Sequence, residues 1–228
     1  GNVEYGFYNN TLDFVLSGNQ TNWANPPWAT LLIRKLVENN DFKNKLINRY
    51  ADEMNTRFLP NVVTEKFLSI YDNMYNEMLN HIDRWSDSEP WVDVSTVYYY
   101  VNNMNNFAIY RQPEAKQHIL DQFDLNQYHE VTLSNITPER GYVRVNNNLR
   151  IQEQEWSGDY FEDVPITLRA VAESGYEFSH WSGLIESSEV EITLNIEDES
   201  YVQAHFIQSS DLNLVINEIN YKSSDDFD

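Results

Sequence analysis

The sequence predicts an α+β protein, in which a helical first half is followed by a small β-rich module and one further strand. Two observations support this prediction. Near residue 129 the spacing of apolar residues changes from the three- and four-residue steps of a helix to the alternation of a strand. At the same position the turn residues become Gly and Asn, which suit tight turns between strands. With 41% hydrophobic residues, the chain has enough apolar material to avoid disorder.

Proline and helix-capping residues divide the first half into predicted helices. The Asn-Pro-Pro sequence at 25–27 predicts a helix start, because Pro is favoured in a first helical turn. Asn40 or Asp41 predicts a second start, and Pro60 predicts a break. Thr64 then predicts the cap of a third helix.

A loop at 86–90 and a last helix beginning at Pro113 complete the predicted helical half. Apolar residues recur on one face of each helix: Leu32, Leu36, Phe42, Ile47, Ala51, Met54, Phe67, Ile70, Met74, Val97, Val101, Met104 and Ile119. Such stripes are typical of the core of a helical bundle, so we assign them no ligand role.

Alternating patterns predict strands at 131–133, 141–145, 166–171, 190–194 and 201–206. The Asn run at 146–148 and Ser-Gly at 174–175 predict turns with positive φ. The change of period at 127–130 predicts separate cores for the two halves, with 1–128 and 129–209 each soluble alone. After a short linker at 209–211, the segment 212–221 reads as a strand with no partner left, which predicts a truncated third domain.

Charge and composition exclude several classes of function. The net charge is −21, with 10 basic against 16 acidic residues in 1–128 and 5 against 20 in 129–228. Such a surface repels phosphate backbones and anionic lipid, so we expect no nucleic-acid partner and no docking on anionic membranes. The chain has no run of about eighteen apolar residues, so we also expect no membrane insertion. Without Cys, disulfides, thiolate metal sites and Cys nucleophiles are excluded. The start lacks Met and a signal pattern, which predicts a segment of a longer protein.

Several motifs cluster in the first half: Trp-Ala-Asn-Pro-Pro-Trp at 23–28, Asn-Arg-Tyr-Ala-Asp at 48–52, Asn-Thr-Arg-Phe at 55–58 and His-Ile-Asp-Arg-Trp at 81–85. Through them, and through Phe-Ala at 107–108 with Arg111, residues 5–125 resemble the C-terminal part of the CotH family, the spore-coat-protein-H-like kinases. The resemblance implies an atypical protein-kinase fold, with these helices in its C-terminal lobe.

The same resemblance bears on nucleotide chemistry. The sequence Val-Glu-Tyr-Gly-Phe at 3–7 resembles the end of the family's Asp-x-Asp-Phe-Gly-Phe stretch, whose carboxylates would hold Mg²⁺. Glu4 stands where the family has Asp, and Asn2 stands where it has the earlier Asp. No segment resembles the phosphate-contacting Lys or the catalytic Asp. We therefore expect no catalytic and no cofactor-binding residue here, leave metal ligands unassigned, and expect ATP and Mg²⁺ only in the parent protein.

Two charged motifs have competing interpretations. Arg49 shares a helix face with Asp52 and Glu53, and His81 shares one with Arg84. Surface ion pairing or helix bracing is the simpler interpretation, while an Arg that binds phosphate or an acidic peptide stays open. The five His residues include no pair at ligand spacing, so a zinc site is not expected.

The β-rich part carries Gly-Tyr-x-Phe-x-x-Trp-x-Gly at 175–183. Through this motif residues 129–207 resemble the divergent internalin-type B-repeat of bacterial surface proteins, which implies a spacer or an interaction unit. Tyr176, Phe178 and Trp181 are predicted to supply the core, in a segment that turns between strands. Residues 212–228 resemble the start of a bacterial lamin-tail-like domain.

Together these features predict three parts: a CotH-like helical part at 1–128, a β-rich repeat at 129–208, and a linker with a truncated lamin-tail-like strand at 209–228. The expected function is that of a non-catalytic segment of a secreted or surface bacterial CotH-like kinase, with a protein or cell-surface partner. The rival hypothesis is a surface-anchored structural or adhesion protein with a degenerate kinase-like head. A third hypothesis is glycan binding by exposed aromatic residues of the β module.

Overall fold

The computed structural model describes residues 3–17, 26–85, 87 and 93–210. It is an α+β structure, as predicted, with helices followed by β-sheets. A 3₁₀ turn at Val3–Tyr8 precedes helices α1 (Thr11–Leu16), α2 (Leu31–Leu36), α3 (Asn40–Met54), α4 (Pro60–Trp85) and α5 (Val94–Phe123). Eight strands follow: β1 (Tyr128–Ser134), β2 (Gly141–Val145), β3 (Leu149–Ile151), β4 (Glu155–Phe161), β5 (Ile166–Ala172), β6 (Tyr176–Gly183), β7 (Glu191–Leu194) and β8 (Ser200–Gln208).

The helix boundaries correct two predictions. The predicted break does separate α3 from α4, and Pro60 itself begins α4, because the first turn of a helix needs no N–H from that residue. Thr64 therefore lies inside α4 and caps nothing, although its Oγ1 lies 3.2 Å from Asn105 Oδ1 on α5. Pro113 lies inside the 30-residue α5 and does not begin a new helix. On either side of Pro113, Arg111 contacts the Phe7 carbonyl and Lys116 contacts Asp159.

Two four-stranded sheets form a β-sandwich in the second half. Their strand orders are β4-β1-β8-β6 and β3-β2-β5-β7, and every pair is antiparallel except β1 with β8. The inward positions alternate along the strands, as in the fully buried Val143 and Val145 of β2. The predicted turns have positive φ, at 51° for Asn146, 56° for Asn147 and 86° for Gly175.

One strand lies where the sequence predicts a turn. Tyr176–Gly183 forms the edge strand β6 and pairs with β8 over its whole length, with a register shift between Phe178 and His180. The prediction of a turning segment is therefore wrong, because the chain reverses only at Gly183, where φ is 98°. Trp181 is fully buried, which confirms its assignment to the core. Its indole Nε1 donates a 2.8 Å hydrogen bond to the Glu189 carbonyl.

The helical half and the sandwich share one hydrophobic core. Ile47, Ala51 and Met54 of α3 and Ile119 of α5 are buried in the same cluster as the inner face of the sandwich. The prediction of separate cores is wrong here. The small sandwich leaves part of its apolar interior uncovered, and apolar side chains of α3 and α5 cover it. The limits at 128, 208 and 209 stay predictions.

The outer half of the helical region is much less covered. Among the described residues, α4 contributes no buried side chain. Ile70, Met74 and Met104 are each about half exposed, at 50%, 51% and 54%. The prediction that these stripes are bundle core is wrong for α4 and for the adjoining part of α5. The two helices cover each other on one side, and among the described elements the main packing partner of α4 is α5.

Among the residues that the structure describes, no helix is both long and apolar enough to cross a membrane. The predicted strand at 212–221 and most of the predicted loop at 86–90 lie outside the described residues.

Candidate functional site

The polar centre of the molecule is the junction between α3 and the sandwich, where the Asp52 carboxylate is 1% exposed. Its Oδ1 accepts hydrogen bonds from the Tyr160 hydroxyl at 2.8 Å and from Asn146 Nδ2 at 3.0 Å. Its Oδ2 accepts one from Asn148 Nδ2 at 3.0 Å. Three neutral donors from the β module thus bind a carboxylate on a helix of the first half, which fixes the position of α3 relative to the module.

The sequence of α3 explains why this helix faces the sandwich. Ile47, Ala51 and Met54 form an apolar stripe at helical spacing. The residues immediately after them, Asn48, Asp52 and Asn55, are also buried, so a polar stripe runs beside the apolar one. The apolar stripe drives the burial of the helix face, and the polar stripe makes that burial specific for the strands opposite.

Asn55 pairs with the edge of the sandwich as a neighbouring strand would. Its Nδ2 donates to the Asp159 carbonyl at 2.9 Å, and its Oδ1 accepts from the Asp159 backbone N–H at 3.0 Å. A Cβ atom at Gly158 would collide with the Asn55 amide and the Trp156 ring. The edge strand β4 therefore needs Gly at this position so that α3 can approach it closely.

A cation from α5 completes the junction. The Lys116 ammonium forms a charged hydrogen bond with Asp159 Oδ2 and lies 4.9 Å from the centre of the Tyr128 ring. The Lys116 residue is only 8% exposed, so this charge is paired and largely removed from water. Gln112 Nε2, one turn earlier on α5, donates to the Met54 carbonyl at 2.8 Å and ties α5 to the end of α3.

Burial shifts the pKa values of Asp52 and Tyr160, which are hydrogen-bonded to each other. Desolvation raises the pKa of Asp52 above its ordinary value, and the hydrogen bonds from Asn148, Tyr160 and Asn146 partly oppose that rise. Desolvation also raises the pKa of the Tyr160 phenol well above its ordinary value, and the neighbouring Asp52 charge raises it further. Tyr160 therefore remains a donor, which is the role that the Asp52 carboxylate requires of it.

A cavity of about 500 Å³ opens beside this junction. Asn48 and Asp52 are its buried lining residues, while Lys45 of α3 and Asn147 of the β2–β3 turn are exposed. Asn48 Nδ2 donates to the Pro165 carbonyl at 2.9 Å, so the position of the amide oxygen is fixed. That oxygen, Asn48 Oδ1, is buried and has no hydrogen-bond partner.

The charged motifs turn out to have different roles. Arg49 forms an ion pair with Glu53 at 2.8 Å, and Glu53 also pairs with Arg57 at 3.2 Å. This confirms the surface ion-pair interpretation for Arg49 with Glu53. The predicted pairing of Arg49 with Asp52 is absent from the ion pairs of the described residues, because Asp52 points into the junction.

The second charged motif forms no ion pair within the described part of the chain. His81 and Arg84 instead flank Trp85 on α4: the imidazole lies 6.5 Å from the indole centre, and the guanidinium carbon lies 5.3 Å from it. Trp85 is 44% exposed, so these contacts lie at the surface and do not brace a core.

The segment that resembles the metal-binding stretch is anchored by Arg111. Arg111 Nη1 donates to the carbonyls of Phe7 and Asn9, at 2.8 and 2.9 Å, so that α5 holds the turn after the 3₁₀ helix. Desolvation lowers the pKa of Arg111. Glu4 lies in the 3₁₀ helix, but its side chain and the whole of Asn2 are outside the described residues. Among the side chains that are described, no cluster of three or more His, Asp or Glu could hold a metal ion.

An apolar groove of about 460 Å³ separates the outer parts of α4 and α5. Phe67, Met74 and Met78 of α4 face Tyr100 and Met104 of α5 across it. From Val94 to residue 110, α5 has no charged residue at all. The groove is thus an apolar surface of the helical half that its described neighbours leave open.

Residues 2–114 match the family model described as CotH kinase protein. This CotH segment (residues 2–114) contains α1 to α4 and the first two thirds of α5, so the match supports the CotH resemblance of the helical half. Asn48, Asp52 and Asn55 lie within it, and their partners on the β module lie outside it. No curated protein and no solved structure shows a significant match. The internalin-type and lamin-tail-like resemblances stay predictions.

Sequence reasoning missed most of the residues at the junction. It read Asp52 as a surface partner of Arg49 and gave no role to Asn48, Asn55 or Tyr160. One signal was present, namely the polar stripe that directly follows the apolar stripe of α3. Polar residues that repeat at core spacing indicate a hydrogen-bonded contact with another element, but they do not say which element supplies the partners.

Proposed function

We propose that this chain is a non-catalytic segment of a secreted or surface-associated bacterial CotH-like kinase. In this proposal the CotH segment is scaffold from the C-terminal lobe, and the β module is an interaction unit held against it. One observation supports the proposal most directly. The chain matches the CotH kinase family over residues 2–114, yet no stretch of that match resembles the family's phosphate-contacting Lys or its catalytic Asp.

The junction supports a rigid attachment of the β module. The hydrogen bonds of Asp52 and Asn55 and the ion pair of Lys116 cross between the two halves, which also share an apolar core. A spacer on a flexible linker would not need a buried carboxylate at its base, since burying a charge costs free energy unless it is fully bonded. The β module would therefore present its partner-binding surface in a fixed direction relative to the CotH segment.

The burial of Trp181 argues against one earlier hypothesis. Glycan binding through exposed aromatic residues needs a ring that lies open in a groove, and Trp181 is fully enclosed. Phe178 packs against Trp181 and Phe206, at ring-centre distances of 5.1 and 5.8 Å, within the same core. Phe178 and Trp181 of the aromatic motif are thus used for folding.

A phosphotransfer assay tests the proposal. The chain is incubated with labelled ATP, Mg²⁺ or Mn²⁺, and a generic acceptor protein, and both self-labelling and acceptor labelling are measured. We expect no transfer above the level of a heat-denatured sample. Reproducible labelling that depends on the metal would overturn the non-catalytic assignment, and Asp52→Asn and Asp13→Asn variants would then separate a buried structural carboxylate from an exposed one.

A further inference from the structure

We propose that the cavity beside Asp52 is a binding site for an uncharged, polyhydroxylated ligand, a saccharide. The cavity volume of about 500 Å³ lies within the range of roughly 300–1,000 Å³ that is usual for small-molecule sites. It also lies where two structural units meet, which is a preferred place for such sites. This proposal does not depend on the kinase family, because it is derived from the junction alone.

The inner wall of the cavity requires hydrogen-bond donors from a ligand. Asn48 is 7% exposed, and its Oδ1 has no partner. The Pro165 carbonyl holds the other end of the amide, so rotating the Asn48 amide would place two oxygens against each other and would not solve the problem. Asp52 Oδ2 accepts one hydrogen bond, from Asn148, and a carboxylate oxygen can accept two. Asn48 Oδ1 therefore lacks a donor and Asp52 Oδ2 can accept a second one, which a ligand that carries O–H groups and reaches the buried wall would supply.

The wall is also rigid before any ligand arrives. Asn146 Oδ1 accepts from the Thr167 backbone N–H at 3.0 Å, and Asn146 Nδ2 donates to Asp52. The Asn146 backbone N–H donates to the Thr167 carbonyl at 2.8 Å. A site whose side chains are already locked loses little conformational entropy on binding. A ligand that binds only through polar contacts can therefore be held with measurable affinity.

The charges around the cavity favour a neutral ligand. Its titratable lining residues are two acids, Asp41 and Asp52, and two bases, Lys45 and Arg49. Their formal charges cancel, so the lining as a whole gives no net electrostatic attraction to an anion or to a cation. Lys45 and the Asn147 amide at the mouth can donate to hydroxyl or ring oxygens, while the inner wall accepts. A molecule with many hydroxyl groups, each both donor and acceptor, fits this arrangement.

The test uses the intact chain and a panel of named probes: glucose, N-acetylglucosamine and maltose, with glutamate and inorganic phosphate as charged probes. Chemical-shift changes of the Asn48 side-chain amide and of the backbone amides at 146–148 are followed in ¹⁵N NMR spectra. We expect saturable changes at these positions with at least one sugar, and none with glutamate or phosphate. No change with any sugar, or equal changes with the charged probes, would overturn the proposal.

Two variants test the location without disturbing the buried wall. Asn147→Gly keeps the positive φ of the turn and removes the amide, and Thr193→Val removes a hydroxyl at the cavity lining without changing size. Each should weaken sugar binding about three- to ten-fold, the effect of one hydrogen bond. Thr132→Val on the opposite sheet is the matched control and should bind as the parent does. Unchanged binding in both cavity variants would place the site elsewhere and refute the proposal.

Discussion

The Tyr160 hydroxyl on β4 donates a 2.8 Å hydrogen bond to the Asp52 carboxylate on α3, across 108 positions of sequence, and both residues are almost completely buried. This contact is one of several that join the CotH segment to the β module, and it lies where their apolar surfaces merge. Because the acceptor is charged and shielded from water, the contact is worth more than an ordinary surface hydrogen bond.

Removing the hydroxyl tests that contact. Tyr160→Phe keeps the ring in the core and leaves Asp52 with one donor fewer, so we expect the free energy of unfolding to fall by about 1.5–3 kcal/mol. Urea denaturation measures the change. Tyr142→Phe is the matched control, since the Tyr142 ring stacks on Arg150 at 4.0 Å and its hydroxyl makes no hydrogen bond within the described part of the chain. If both variants lost the same free energy of unfolding, the hydrogen bond to Asp52 would contribute no more to stability than the Tyr142 hydroxyl does.

The raised pKa of Asp52 predicts an unusual dependence of stability on pH. Its ordinary pKa is 3.8, and burial raises that of the folded state, so the folded chain binds this proton more tightly than the unfolded chain. The contribution of Asp52 therefore favours folding at low pH and is lost as the pH rises from about 3.8 through the folded-state pKa. Most paired carboxylates behave in the opposite way.

A comparison with Asp52→Asn isolates this contribution, because the other carboxylates are common to both proteins. The difference in unfolding free energy, parent minus variant, should decrease as the pH rises above about 4 and then level off. Urea titrations across the acid range measure it. A difference that increases with pH would mean that hydrogen bonding, and not desolvation, dominates the ionisation of Asp52.

Trp181 offers a test of the β module. Replacing this fully buried indole with Ala should cost about 3–5 kcal/mol, which is comparable to the whole stability of a small domain. We therefore expect the sandwich of Trp181→Ala to be unfolded, or to melt far below the parent, in circular dichroism of the intact chain. Trp28→Ala is the control, because that side chain is 76% exposed. A Trp181→Ala protein that melts within a degree or two of the parent would contradict the core assignment.

The shared core changes the expectation for separated halves. Residues 129–209 expressed alone would expose the apolar surface that α3 and α5 cover and would leave the Tyr160 hydroxyl and the Asp159 backbone without their helical partners. We expect this piece to melt below the sandwich of the intact chain. If the two transitions coincide, the junction contributes nothing to the stability of the module.

The strands that were predicted from the sequence differ in residue composition from β4, which was missed. The segments 141–145 and 166–171 alternate β-branched or aliphatic residues, and they form β2 and β5 almost as predicted. Strand β4 was missed because Gly158 interrupts it and Ser and Asp dilute its apolar pattern. Gly158 serves the close approach of α3, and the Asp159 carboxylate pairs with Lys116 of α5, so both residues meet tertiary requirements that local propensity does not encode.

The helical half shows the same limit. The apolar stripe of α3 correctly predicts a buried face, because Ile47, Ala51 and Met54 all enter the core. The equally regular stripe of α4 lies open to solvent in Ile70 and Met74. Periodicity shows that a face is suited to burial, but it does not show whether another element is present to cover it.

The parallel pairing of β1 with β8 has a mechanical consequence. These are the first and last strands that the structure describes, and Val131 to Ser134 pair in register with Ser200 to Gln203. Because the two strands run in the same direction, a pull on the chain at both ends of the module slides them lengthwise past each other. Every hydrogen bond between them is then loaded at once, instead of one after another as when a hairpin is unzipped. The module should accordingly resist stretching along the chain far better than its modest size suggests.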